Sequence, residues 1–361
     1  MISQRPRVSR GVLTRSWLAA AALLLAGAAP TLAQPFGVWV NTSGPTQTGR
    51  ISIPHSAALN PTTATTVEAW VLFNSEVAGE DCRSIAGKDY TAAWWIGRCG
   101  GQLRSYFRGG GSAHTGGVIP LHQWTHVAAT TDGSRVKHYI NGELVLDQPA
   151  GGSPTTSTAE MRISSDVSWE HPPSGSLDEI RLWSVARTEA QIRSTLNVRV
   201  NSAMTGLVGV WPLEANANDI IGGHNGAVVG TGVVFFTSPV TLTCGASTST
   251  SLCLNGHFAV SARFRTGAPG TAESQAHTVN CPNPGSGLFY FFAPDNWEVM
   301  VKLIDGCGLN SRFWLFSAAT TNVFYRMEVT DVRAGENKVY FNYPGPPAPA
   351  VTDVSAFATC P

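Results

Sequence analysis

T-V-E-A-W-V at residues 66–71, W-T-H-V-A-A-T at 124–130, H-Y-I-N-G-E-L-V at 138–145 and S-L-D-E-I-R-L-W at 176–183 decide the fold. In the first of these, Val67, Ala69, Val71 and Phe73 alternate with Glu68, Trp70 and Leu72. A period of two is that of a β-strand, and apolar residues on both faces place this strand in the middle of a sandwich. The third stretch turns at Asn141-Gly142 between residues 136–140 and 143–146. Asn-Gly accepts positive φ at both turn positions, so the spacing predicts a two-residue hairpin. A second hairpin is expected between Trp94-Trp95-Ile96 and residues 103–108, around Cys99-Gly100-Gly101. The only helix expected lies near 188–197, where Thr188 and Gln191 have capping-box spacing and Ile192 and Leu196 share one face.

The four stretches, in this order, resemble a laminin-G-like jelly roll of the concanavalin A-like lectin/glucanase superfamily, over roughly residues 36–197. The resemblance implies an all-β fold and a module that binds more often than it cuts. It also assigns Trp70, Trp124 and Trp183 to packing. Residues 207–236 resemble the segment that commonly follows such modules and are read as strands completing the first sandwich. The jelly-roll domain is therefore placed at 34–236. Residues 237–251, rich in Thr and Ser, form the expected linker. Residues 252–361 carry six further strand patterns separated by turn residues, which predicts a second, smaller β-sandwich. Within it, F-F-A-P-D-N-W-E-V-M-V-K-L-I-D-G at 291–306 and R-F-W-L-F at 312–316 resemble a C-terminal module of many secreted bacterial proteins, read here as accessory.

Lys plus Arg and Asp plus Glu both number 24, so the net charge is zero, which argues against nucleic acid as a partner. Charged residues are 13% of the chain, beside 37 Gly and 22 Pro. A hydrophobic content of 43% is enough for packed cores. Residues 1–33 read as a secretory signal peptide. Arg5, Arg7, Arg10 and Arg15 precede an apolar run, and Thr31-Leu32-Ala33 offers a cleavage site. No later run approaches the ~20 apolar residues of a membrane span. The expected destination is the outside of a bacterial cell, its surface or the periplasm.

Export permits disulfides. Spacing alone does not give connectivity, but Cys82 and Cys99 are the only cysteines of the first module and are expected to pair. That bond would stabilise by roughly 3 kcal/mol on the chain-entropy argument. Cys244 with Cys253 and Cys307 with Cys360 are the other expected pairs, which leaves Cys281 free or joined between molecules.

Sites of chemistry are few. The E-x-D-x-x-E strand pattern of the superfamily's endoglucanases, which sets acids on one face for a retaining mechanism, is absent. Asp178 and Glu179 are adjacent and should point to opposite faces unless a bulge intervenes. G-x-S-x-G and H-E-x-x-H are also absent. A structural Ca2+ is the one cofactor expected, with Asp178 and Asp219 as candidate ligands. The plainer reading of both is a carboxylate capping local N–H groups. A sugar site needs an aromatic face beside short polar groups. Trp94 and Trp95, Tyr106 on the partner strand and Trp169 in a loop before Pro172-Pro173 are the candidates.

The resulting expectation is a secreted, non-catalytic binding or adhesion protein whose jelly roll recognises carbohydrate or a protein surface. The alternatives are a glycoside hydrolase or lyase with an atypical acid pair, and a structural component of the cell surface.

Overall fold

A computed structural model describes residues 38–40, 49–76, 82–107, 113–167, 173–235, 244–279 and 283–360. The expected signal peptide, residues 237–243 of the expected linker, Trp169 and Cys281 lie outside the described residues.

The first sandwich contains β1 (Val38–Val40), β2 (Arg50–Ile53), β3 (Thr65–Phe73), β4 (Cys82–Lys88), β5 (Trp94–Cys99), β6 (Gln102–Tyr106) and β7 (His114–Val118). It continues with β8 (Thr125–Thr131), β9 (Arg135–Ile140), β10 (Glu143–Pro149), β11 (Met161–Ile163), β12 (Gly175–Trp183), the helix α1 (Glu189–Thr195), β13 (Leu207–Trp211), β14 (Ala227–Val229) and β15 (Val233–Phe235). One sheet runs β10-β9-β8-β3-β12-β1-β15, with β13 also paired to β12; the other runs β14-β2-β11-β4-β5-β6-β7. Residues 207–235 supply β13, β14 and β15 to these two sheets.

Local chemistry explains these elements. Val67, Ala69, Val71 and Phe73 point between the sheets, where they meet Ile85, Trp94, Ile96 and Leu103. Asn141 and Gly142 take φ of 51° and 76°, and Ile140 pairs with Glu143 across the two-residue turn. Gly100 and Gly101 turn the β5–β6 hairpin, also with positive φ. Thr188 caps α1 in a capping box with Gln191. Cys82 and Cys99 are direct cross-strand partners and form a disulfide, as do Cys244–Cys253 and Cys307–Cys360.

The second sandwich contains β16 (Ser251–Leu254), β17 (Phe258–Arg265), β18 (Ser274–Gln275), β19 (His277–Val279), β20 (Ser286–Tyr290), β21 (Trp297–Asp305), α2 (Cys307–Asn310), β22 (Phe313–Ala319), β23 (Phe324–Asp331), β24 (Glu336–Asn342) and β25 (Val351–Phe357). Its sheets run β16-β17-β23-β24, with β18 on β17, and β19-β20-β21-β22-β25. Phe258, Phe289, Leu315, Met327 and Phe357 fill the space between them. The six expected strands are present. The missed ones are short or, like β25 with its Thr, Asp and Ser, weakly apolar.

The two sandwiches stack. Trp70 and Trp124, on the outer side of the first sandwich's β3–β8 sheet, pack with Leu196 against Val339 and Phe341 of β24. The Trp70 Nε1 donates to the Leu196 carbonyl at 2.9 Å, and its ring stacks near Phe341. The Asn141 carbonyl accepts from the Tyr343 hydroxyl at 2.9 Å, and the Arg193 guanidinium lies 3.9 Å over the Tyr343 ring. Arg265 of β17 grips both oxygens of Glu143, at 2.7 and 2.5 Å. A sheet face that a lone jelly roll would show to solvent is therefore covered.

Candidate functional site

Three places on this frame concentrate polar or aromatic groups. The first is the covered outer face of the β3–β8–β12 sheet. Glu68 on β3 is fully buried and sits opposite Arg181 on β12. Arg187 donates to Glu68, and His126 Nε2 lies 3.5 Å from its second oxygen. Burial raises the Glu68 pKa. The His126 hydrogen bond and the charges of Arg187 and Arg181 outweigh that and bring it down to about 2. Burial lowers His126, and the Glu68 carboxylate beside it opposes that shift.

The same face holds a departure from expectation. The β12 ladder shifts register between Asp178 and Arg181, and Glu179 takes φ of 50°. This bulge turns aside the simple alternation that would separate the adjacent acids. Both are buried, and the Glu179 charge acts on Asp178. Burial first, then Glu179, raises Asp178 well above the usual carboxylate range. Glu179 accepts from Arg181 at 2.9 Å and lies 3.8 Å from Arg199. These acids are proximate but sealed and matched by guanidiniums.

The calcium expectation meets a similar geometry. Asp219 Oδ1 accepts the N–H groups of Val210, Ile221 and Gly222, and Oδ2 accepts the N–H and Nδ1 of His224. Five donors aimed at one carboxylate do not fit a metal ligand, so Asp219 organises its loop instead. Asp178 Oδ1 accepts from the Glu179 N–H, while Oδ2 is buried without a partner. Calcium needs six or more oxygens. Among the described residues no group of three His, Cys, Asp or Glu side chains gathers to hold an ion. Arg199 and Arg181 place positive charge beside Asp178 and pull against the rise that burial and Glu179 impose on it; the same charges repel a divalent ion.

The second place is the outer face of β4–β5–β6, where the sugar candidates lie. Neither Trp94 nor Trp95 presents a ring to solvent: they are 0% and 1% exposed. Trp94 points into the core and donates to the Leu59 carbonyl at 3.0 Å. Trp95 points outward, but its ring lies flat over Gly97 and Gly87, which have no side chains to lift it. It donates to Ser84 Oγ and is covered by Tyr90 and Tyr106 beside the Cys82–Cys99 bond. The two tyrosines meet edge to face at 5.5 Å and are half-buried. Tyr106 is thus the one described aromatic of the four candidates that keeps some access.

The third place, which sequence reasoning missed, is a cavity of about 220 Å³ between the sandwiches. Gln123, Asn141, Glu143, Arg263, Arg265 and Glu273 line it. Burial raises Glu143 even though Arg265 opposes the shift. Its residues come from segments more than 100 positions apart, so no local motif announces it.

Residues 45–193 match the model of the laminin-G family in the concanavalin A-like lectin/glucanases superfamily. An 81-residue segment is 36% identical to mouse (Mus musculus) pappalysin-1, covering 21% of this chain and 5% of that protein. The chain therefore matches only a small part of that relative's length. Among solved structures, a candidate carbohydrate-binding protein from Bacteroides ovatus aligns at 22% identity and a TM-score of 0.44, over 58% of this chain and 61% of that one. Domain 4 of the extracellular arabinanase AbnA from Geobacillus stearothermophilus, solved with arabinotriose, aligns at 19% identity and a TM-score of 0.32. That alignment covers 46% of this chain and 98% of the domain. Likenesses of this size carry no argument about a ligand.

Proposed function

We propose that this protein is an exported, non-catalytic carbohydrate-binding protein built on a jelly roll. The observation that carries the reading is the state of the acids on the β3–β8–β12 face. Glu68, Asp178 and Glu179 are at most 1% exposed, and arginines face Glu68 and Glu179. A glycosidase needs two carboxyl groups open to one sugar, one of them able to donate a proton. Sealed acids with matched guanidiniums serve packing. The superfamily that matches residues 45–193 joins lectins with glucanases, and burial of the acids favours the lectin side. Three disulfides suit an oxidising compartment. Among the described residues no helix is long and apolar enough to cross a membrane. Among the described aromatic candidates of the first sandwich, Tyr106, beside Tyr90, keeps partial exposure.

Pull-down of the full chain on insoluble cellulose, xylan and chitin, beside a glycan array and a reducing-end assay, tests the reading. Retention or array binding without new reducing ends is expected. Release of reducing ends would overturn the non-catalytic assignment. A blank pull-down and array would overturn carbohydrate as the ligand and leave a protein surface or cell-surface assembly in its place.

A further inference from the structure

Stacking the sandwiches uses one outer sheet face of each, which leaves the β19–β20–β21–β22–β25 face of the second sandwich turned to solvent. Side chains alternate along these strands: Phe289, Val299 and Val301 are buried in the core, and Tyr290, Trp297 and Met300 take the other side. His277 pairs with Tyr290 and Tyr290 with Trp297 across three neighbouring strands. The His277 and Tyr290 rings stack at 5.2 Å with 24° between their planes. Trp297 is 51% exposed, a large value for the residue type. Next to this row opens a groove of about 530 Å³ with Phe292, itself 59% exposed, on its wall. Asn296, Thr320, Thr321 and Asn322 supply the groove's short polar groups.

Each part of this surface is held in place. The Trp297 Nε1 donates to the Pro294 carbonyl at 3.1 Å, and the Thr320 hydroxyl donates to the Trp297 carbonyl at 2.8 Å. Phe292 rests edge-on against Phe264 at 5.1 Å. Glu298, beneath the groove, accepts from the Phe291 N–H and from Asn296 Nδ2. The rings are therefore positioned by the fold while their faces stay wet, and apolar faces held in water await a partner.

We propose that the aromatic row His277–Tyr290–Trp297 and the Phe292 groove form a contact surface for an uncharged polysaccharide chain. The inference rests on the carbohydrate reading above and moves the principal contact to the second sandwich. A sugar ring has an apolar C–H face and a rim of hydroxyls. The first stacks on exposed aromatic rings, and the second needs amide and hydroxyl partners of the kind Asn296, Asn322 and Thr320 provide. The groove's charge favours one ligand class: of its lining residues only Glu298 is ionisable, it is already engaged with Phe291 and Asn296, and no described Lys or Arg lines the groove to meet an anionic sugar. A neutral chain is thus favoured over a uronic or sulfated one.

Titration calorimetry of the full chain with cellohexaose, xylohexaose and arabinohexaose tests the proposal. Wild type should bind at least one of them. Trp297→Ala should weaken that binding about tenfold or more, Trp297→Phe should largely retain it, and Val228→Ala, at an exposed position of β14 in the first sandwich, should leave it unchanged. Trp297 is a surface residue, so an unshifted melting temperature should accompany the loss. If Trp297→Ala and Phe292→Ala both bind like wild type, the platform is overturned and the carbohydrate reading stands. If wild type binds none of the three, the neutral-chain platform is overturned, and a blank glycan array would take the wider reading with it.

Discussion

Glu68 shows at the scale of one residue why a charged side chain occupies a buried strand. A carboxylate at 0% exposure is tolerable only when paired and hydrogen-bonded, and Arg187, Arg181 and His126 provide that. Removing one partner leaves uncompensated charge, so Glu68→Gln should cost about 3–5 kcal/mol in chemical denaturation. A loss below about 1 kcal/mol would mean that the arginines find other partners. The same environment makes the fold acid-labile. Glu68 is depressed from 4.5 to about 2, so the folded state binds fewer protons than the unfolded one in that window. Its stabilisation is complete above pH 4.5 and fades as pH falls towards 2. His138 is depressed from 6.5 to about 4, chiefly by burial. Its share is therefore lost between pH 6.5 and 4. Melting temperature should fall in that order on acidification; a flat profile between pH 6.5 and 3 would contradict both. Glu68 was legible in T-V-E-A-W-V only as a strand position on the face opposite Val67 and Ala69, because its partners lie more than 50 residues away.

At the scale of elements, the β5 strand explains a failed expectation. Adjacent tryptophans on a strand must face opposite ways, and Trp94 and Trp95 do. What alternation does not state is whether the outward side is covered. Gly87 and Gly97 let the Trp95 ring lie against its own sheet, and Tyr90 and Tyr106 close over it. A methyl group at position 97 would land within the space of the ring and against the Arg83 carbonyl. Gly97→Ala should lower stability by roughly 1–3 kcal/mol by overpacking and raise the exposure of Trp95. Tryptophan fluorescence that neither shifts nor loses thermal stability in this variant would refute the packing argument. The two hairpins and the α1 cap, by contrast, were readable from Asn141-Gly142, Gly100-Gly101 and Thr188–Gln191, because each depends on residues within a few positions.

For the whole molecule, the joint between the sandwiches sets the behaviour. Arg265 and Glu143 are both buried and bound to each other, and Arg265 also lies 4.0 Å over the Phe324 ring. Arg326, 1% exposed, donates to the Trp124 carbonyl of the first sandwich, and Glu273 beside it accepts from Gln123. Two β-sandwiches tied in this way should melt as one cooperative unit in calorimetry. Glu143→Ala strands the Arg265 charge inside the joint at a cost of roughly 3–5 kcal/mol. It should divide the transition into two, one for each sandwich. A single unshifted transition in that variant would show that the apolar contacts of Trp70, Val339 and Phe341 hold the joint without the ion pair.

The amino-acid sequence by itself determined the all-β class, the two hairpins, the capped helix and the cysteine pair of the first module. Each follows from short-range periodicity, turn stereochemistry or the scarcity of partners. The tertiary structure alone decided exposure. It sealed Glu68 and the Trp95 ring, turned Asp178 and Glu179 through a bulge, filled Asp219 with N–H donors and left Trp297 and Phe292 in water. Exposure is a property of what packs on top of a residue. For Trp70 that covering comes from chain segments far away in sequence, brought there by the stacking of one sandwich on the other; for Trp95 it comes from Tyr90 and Tyr106 of its own sandwich.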